Sequence, residues 1–466
     1  MSAVADPPFE DAEDAIVDGD RAFAPGSARA AFRHRTFRRV FYGSFLSNVG
    51  TWMQNVVLGA LAYDLTGSAT VVGVLLFAQL GPLLLLSVVA GALADSVDRR
   101  RLLVTVATVQ LVLSFVLAAV AAPDEPDLVV LIGVTFALGI AQALFNPTYS
   151  ALIPQLVDRE DLPGAISLHS AQMNGSRVIG PVIGAVLDAA VGAPAVFAVN
   201  GLSYLFVIAS LLTVRLPPPV PSPGDDRGLR RLGAGFLVAR RNVVVRRCLV
   251  SVFTFSLVAL TFVGQFPVVA ERNLGIDERS TAYGVLYACF GAGAVIGALS
   301  IGTVFANRSK ARIVRAALVA YSVSLTVFAL LRDPAPAYPV VVVVGLTYFA
   351  YITSLSTVLQ EQLADHERGR VMALWIMGFG GTVPVGNLLA GPVIDGTSIT
   401  LVLLVGAACA LGLAGYTRLR PARTAGTAGA AGAAGAAGSA EQVDQPLEAG
   451  DPAALQQHGV AVAEGT

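Results

Sequence analysis

Between residues 37 and 417 the chain alternates long apolar stretches with short polar ones. We read apolar spans at 40–63, 69–94, 102–122, 128–150, 165–190, 194–214, 248–272, 281–304, 311–331, 338–362, 370–395 and 398–417. Each is near the ~20 residues that a helix needs to cross a bilayer core, and far too long for a strand. Backbone groups in lipid must be satisfied within the segment, so the spans are helices. The pattern predicts an all-α membrane protein with twelve transmembrane helices. Pro267 and the run Gln360-Glu361-Gln362 blur the ends of the seventh and tenth spans.

Composition narrows the class. The 466 residues are 55% hydrophobic and 14% charged, with mean hydropathy +0.69. Globular domains carry roughly 25% charged residues, so a soluble enzyme is excluded. A net charge of −1 gives no electrostatic case for nucleic acid. Cys248, Cys289 and Cys409 lie in apolar runs and read as packing thiols. No phosphate-binding Gly-rich loop, HExxH, CxxC or GxSxG pattern occurs, and we expect no metal and no cofactor. Residues 1–36 are acidic and lack the basic start and apolar stretch of a secretory signal. Residues 418–466 run into Ala/Gly repeats and then acids. Neither stretch can bury enough surface to offset ordering, and both are expected to be disordered.

The basic residues orient the spans. With the N-terminus inside, 27 of the 31 Lys and Arg fall on the inner side, and only Arg272, Arg279 and Arg332 fall outside. Positive residues favour the cytoplasmic side. We therefore expect a multi-pass protein of a bacterial cytoplasmic membrane with both termini in the cytoplasm.

The pattern also repeats. Arg38-Arg39 recurs as Arg246-Arg247, Gly91 to Arg101 aligns with Gly302 to Arg312, and Gln155 to Asp158 recurs as Gln362 to Asp365. These offsets predict two six-helix halves, 37–214 and 246–417, joined by a cytoplasmic linker, 215–245. An even number of spans per half makes the repeats parallel, and such pairs enclose a cleft that opens by rocking.

At the first repeated loop, GALADSVDRRR (Gly91 to Arg101), the chain resembles the major facilitator superfamily. Gly91, Leu93, Ala94, Asp95, Arg99 and Arg100 match the superfamily's loop signature, while Ser96 and Asp98 depart from it. The phrases YDLTGSA (Tyr63 to Ala69), FNPTYSALIPQLV (Phe145 to Val157) and RVIGPVIG (Arg177 to Gly184) further resemble enterobactin-exporter-like bacterial drug and siderophore exporters. The resemblance implies gating by Gly91, Asp95, Arg99 and Arg100. The alternative for the arginines is plain positive-inside anchoring. The small-residue set Gly175, Gly180, Pro181 and Gly184 resembles an antiporter signature, although small residues also serve helix packing.

Arg177 is the one cation deep in a span. A buried Arg costs from about 3 kcal/mol upward and must face a partner or a cavity. It is either a hydrogen-bond hub between helices or a contact for substrate or coupling, and an acidic substrate suits it. The resemblance also implies that the first, fourth, seventh and tenth spans line the cavity. There they offer Gln54, Asn55, Gln142, Asn146, Gln265 and Tyr351. No carboxylate stands mid-span, since Asp64, Glu271, Glu361 and Asp395 sit near span ends. Proton coupling therefore rests on the resemblance alone. The expectation is a secondary transporter, not an enzyme, exporting a small amphipathic molecule such as a drug or siderophore, as a monomer in the bilayer, with protons as the coupling ion. The alternatives are an uncoupled exporter and a non-transporting membrane sensor.

Overall fold

The computed structural model describes residues 26–214 and 229–418. Among these there is no strand, and eight helices are long and apolar enough to cross a membrane. In chain order the helices are α1 (Ala28–Ala31), α2 (Arg35–Thr66), α3 (Ala69–Ser96), α4 (Arg99–Val120), α5 (Leu128–Leu152), α6 (Leu162–Val191), α7 (Ala193–Leu212), α8 (Leu229–Arg241), α9 (Val243–Thr254), α10 (Thr261–Gly264), α11 (Phe266–Leu274), α12 (Thr281–Gly302), α13 (Lys310–Leu330), α14 (Pro334–Glu361), α15 (Asp365–Ile376), α16 (Thr382–Gly396) and α17 (Ile399–Tyr416).

Short polar residues start these helices by satisfying free backbone N–H groups. Asp98 accepts from the Arg101 N–H and opens α4, and Asp127 accepts from Val129 and Val130 and opens α5. Asp333, Ser280 and Ser398 do the same for α14, α12 and α17. Gly67 ends α2 at φ 59°, a left-handed conformation that costs glycine nothing. Large apolar side chains such as Phe206, Val323 and Leu389 are more than half exposed, which suits lipid rather than water.

Helix packing falls into two similar groups. Early in the chain α2 packs on α6 and α7, α3 on α5, and α4 on α5 and α7. Later α12 packs on α14, and α13 on α14 and α17. The groups meet where α3 crosses α16 and where α6 crosses α12. Glycines set the closest approaches. A Cβ on Gly293 would run into the Val342 carbonyl oxygen, so α12 and α14 touch backbone to backbone.

Four sequence expectations change. Residues 26–36 belong to the fold, not to a disordered tail: the Gly26 N–H and His34 both hydrogen-bond Asp161 at the start of α6. That His34 contact holds the Asp161 carboxyl below its ordinary range. The linker expected over 215–245 contains α8, whose Gly235 would place a Cβ 2.7 Å from the Arg370 carbonyl. The seventh span breaks into α9, a π-helical turn (Phe255–Ala259), α10 and α11, with Pro267 in the first turn of α11, where a missing N–H costs nothing. The tenth span does not fray at Gln360, because α14 runs unbroken to Glu361. A second π turn, Met377–Gly381, separates α15 from α16. Residues 1–25, 215–228 and 419–466 of the expected tails and linker lie outside the described residues.

Candidate substrate and gating site

Helix α6 lies between α2 and α12, and its small residues divide between the two. On one side a Cβ at Gly180 would meet the Trp52 Cβ at 2.6 Å, and one at Gly184 would meet Met53 Cα at 3.0 Å. On the other side Val178 and Ala185 fill the spaces above Gly291 and Gly284 of α12. Pro181 is buried between them. Gly175 differs, since a Cβ there would find only the Phe45 ring, at 3.9 Å. Gly180→Ala is therefore expected to lower thermal stability in detergent by several degrees, with Gly175→Ala unchanged. Equal effects would contradict this division of the motif.

This packing sets Arg177 where α2, α6 and α14 converge. Its guanidinium stands 5.2 Å from the centre of the Trp52 ring and 6.0 Å from that of Phe349. Tyr287 and Tyr348 lie within electrostatic reach. The Nε is buried without a hydrogen-bond partner, and no carboxylate pairs with Arg177 among the described residues. Aromatic faces stabilise a cation by about 0.5–2 kcal/mol without neutralising it. The guanidinium thus has no carboxylate beside it among the described residues and an unused donor.

The other expected cavity residues separate into groups. Gln54 turns away, since its Oε1 accepts from Asn200 on α7 and Ser114 on α4 in a buried cluster. Tyr351 is likewise committed: its hydroxyl meets Ser251 at 2.8 Å and its ring packs on Phe255. Asn55 accepts from Gln79 of α3. Gln142 donates to Asn146 at 2.8 Å and accepts from Gln110 of α4 at 2.6 Å. Gln265 donates to the Ala69 carbonyl at 3.1 Å, joining the two helix groups, while its Oε1 is buried and unpaired.

Of the expected gating set, Gly91 and Asp95 lie in the last turns of α3, and the Asp95 side chain is outside the described residues. Arg99 begins α4. Arg100 donates to the carbonyls of Leu211 and Leu212 and so fastens α4 to the end of α7. The described cross-links between the groups sit at the other end of the molecule, where α2 ends and α3 begins. There Asp395 of α16 accepts from the Ser68 hydroxyl, the Ala69 N–H, and the N–H and hydroxyl of Thr70. A carboxylate from one group thus caps a helix of the other, where the helix dipole favours it. Arg272 of α11 ties Asp395 (3.0 Å) to the Tyr63 hydroxyl (2.8 Å) and the Gly67 carbonyl (2.7 Å). Beside it, Arg279 meets Asp64 at 3.0 Å and Asp188 at 3.7 Å. Burial pushes the nearby Glu278 carboxyl above its ordinary range, and Glu271, Asp64 and Asp277 add repulsion. Sequence reading missed this network because its members are distant in the chain.

An all-helical bundle with helices of membrane-crossing length, its two helix groups cross-linked at one end, is the framework of a multi-pass membrane protein. The comparisons agree. A family of the major facilitator superfamily described as "Transmembrane secretion effector" matches residues 26–434. The chain belongs to that family. It is 26% identical over 351 residues to the Staphyloferrin A transporter of Staphylococcus aureus, covering 75% of this chain and 87% of that one. It is also 26% identical over 352 residues to the Enterobactin exporter EntS of Salmonella typhimurium, covering 73% and 81%. Among solved structures, a mutant of the nucleoside transporter NupG superposes with a TM-score of 0.66 at 15% identity, covering 82% of this chain and 98% of that one. A bacterial homologue of the iron transporter ferroportin in its inward-facing state gives 0.64 at 14%, with the same coverage. The protein is a multi-pass membrane transporter for small molecules.

Proposed function

We propose that the protein exports a small amphipathic anion from the bacterial cytoplasm by alternating access, in exchange for protons. The observation that carries this reading is Arg177, a guanidinium held by aromatic rings where the helix groups converge, with no acid paired to it among the described residues. A ligand with an aromatic or aliphatic body and a carboxylate or catecholate edge would complete that set. The relatives, a transporter of staphyloferrin A and an exporter of enterobactin, favour a substrate of this kind.

Twelve spans in two parallel halves fit the packing. The α3–α5, α4–α5 and α4–α7 contacts recur as α12–α14, α13–α14 and α13–α17, and the crossings α3–α16 and α6–α12 mirror each other. With both termini cytoplasmic, the Asp395–Arg272 network lies on the outer face and closes it. Rocking the halves would release that network and close the inner side, where Asp95, Arg99 and Arg100 of the loop signature lie. The transporter acts as a monomer, with no site shared between copies.

The test is uptake of radiolabelled enterobactin and staphyloferrin A into everted membrane vesicles from cells expressing the protein. Energised uptake of either above vesicles lacking the protein is the expected result. No uptake of either anion, with uptake of amphipathic cations instead, would overturn the substrate class.

A further inference from the structure

Asp188, near the end of α6, is a buried acid that the transport reading leaves unused. Its side chain is 2% exposed, and its Oδ1 has no hydrogen-bond partner. The nearest cation, Arg279, stops 3.7 Å short and instead meets Asp64 at 3.0 Å. One guanidinium thus serves two carboxylates. Among the described residues the neighbours add no second cation. Helix α2 contributes Asp64, the turn before α12 contributes Asp277 and Glu278 beside Arg279, and α7 and α12 carry no charged residue. From α11, Glu271 faces the cluster, while Arg272 is committed to Asp395. Removing a carboxylate from water is costly unless something neutralises it. Here the missing positive charge matches one proton.

The geometry also makes that proton conditional. Asp188 and Asp64 belong to the first helix group, while Arg279 arrives from the second. When the groups part at this end, Arg279 leaves with its own group and Asp188 loses its only cation.

We propose that Asp188 is a proton-binding site for which Arg279 competes, so that opening the outer end takes up a proton and closing it expels one. The step forms one O–H bond on the Asp188 carboxylate as the Arg279 contact breaks. No redox partner is needed. This rests on the outward placement of the α2–α3 end and deepens the antiport reading, for which the sequence offers no mid-span acid.

The test needs neither substrate nor transport. Cys248, Cys289 and Cys409 are replaced by alanine. Spin labels are then placed at Val191→Cys, the exposed end of α6, and Ala335→Cys, the exposed start of α14. Distances are read by pulsed electron paramagnetic resonance in lipid nanodiscs from pH 5 to pH 8. One linked proton changes the open-to-closed ratio by at most about tenfold per pH unit. We expect the longer distance to grow with acidity on that scale. Asp188→Asn should hold it long at every pH, while Asp64→Asn should keep the pH response. Should Asp188→Asn fail to insert, Arg279→Gln supplies the same test and should also be long at every pH. A wild-type distribution that ignores pH, or a response that survives Asp188→Asn and vanishes in Asp64→Asn, overturns the proposal. Loss of all transport by the wild type would instead count against the exporter reading, leaving this result standing or falling by itself.

Discussion

Arg177→Ala is expected to lower uptake into everted vesicles at least tenfold while leaving the amount of inserted protein unchanged. A structural hub would be hydrogen-bonded, and its removal would leave partners unsatisfied at about 1–3 kcal/mol each. Arg177 instead has a buried, unpaired Nε and contacts two aromatic rings. Truncation forfeits about 0.5–2 kcal/mol of cation–π attraction but also removes a half-buried, unpaired charge. Thermal stability in detergent should therefore hold or rise as transport falls. Arg177→Lys keeps the charge but loses the guanidinium over the Trp52 ring, and should retain part of the activity. A variant that melts well below wild type and transports in proportion to its folded fraction would make Arg177 a packing residue.

The second large effect lies at the closed end. Asp395→Ala removes the shared cap of α3 and the Arg272 ion pair together. A lost helix cap costs about 1 kcal/mol and a partly exposed ion pair up to about 1 kcal/mol, the latter discounted for solvent screening. A shift of about 2 kcal/mol moves the closed-to-open ratio about thirtyfold. The spin-label distance between positions 191 and 335 should accordingly lengthen at neutral pH. Arg272→Ala, which leaves the cap in place, should lengthen it less. An unchanged distance in Asp395→Ala would mean that the close glycine contacts of α3 with α16 and α6 with α12 hold this end shut by themselves.

The sequence carried what periodicity and charge can carry. The apolar spans, the positive-inside pattern and the lone cation at Arg177 all follow from local residue order. Side-chain direction did not. Gln54 and Asn55 are adjacent, yet about 100° of helix rotation sends Gln54 into the α2–α4–α7 core and Asn55 towards Gln79 of α3. The hydroxyl of Tyr351 found Ser251, 100 residues away, which no spacing rule foretells. The network at the closed end was hardest to see. Asp395 caps residues 325 to 327 positions earlier, and each of its members looks alone like an ordinary helix-end charge. Only the fold brings two carboxylates to one guanidinium at Arg279.

The most direct test of the account is a proton-gradient assay in everted vesicles with a pH-sensitive dye. Catecholate-like anions and amphipathic cations are added in turn. Anion export in exchange for protons predicts that the anions alone collapse part of the gradient, and that Arg177→Ala abolishes the response. A gradient that no anion disturbs, while labelled anion still crosses the membrane, would contradict proton antiport and leave an uncoupled exporter.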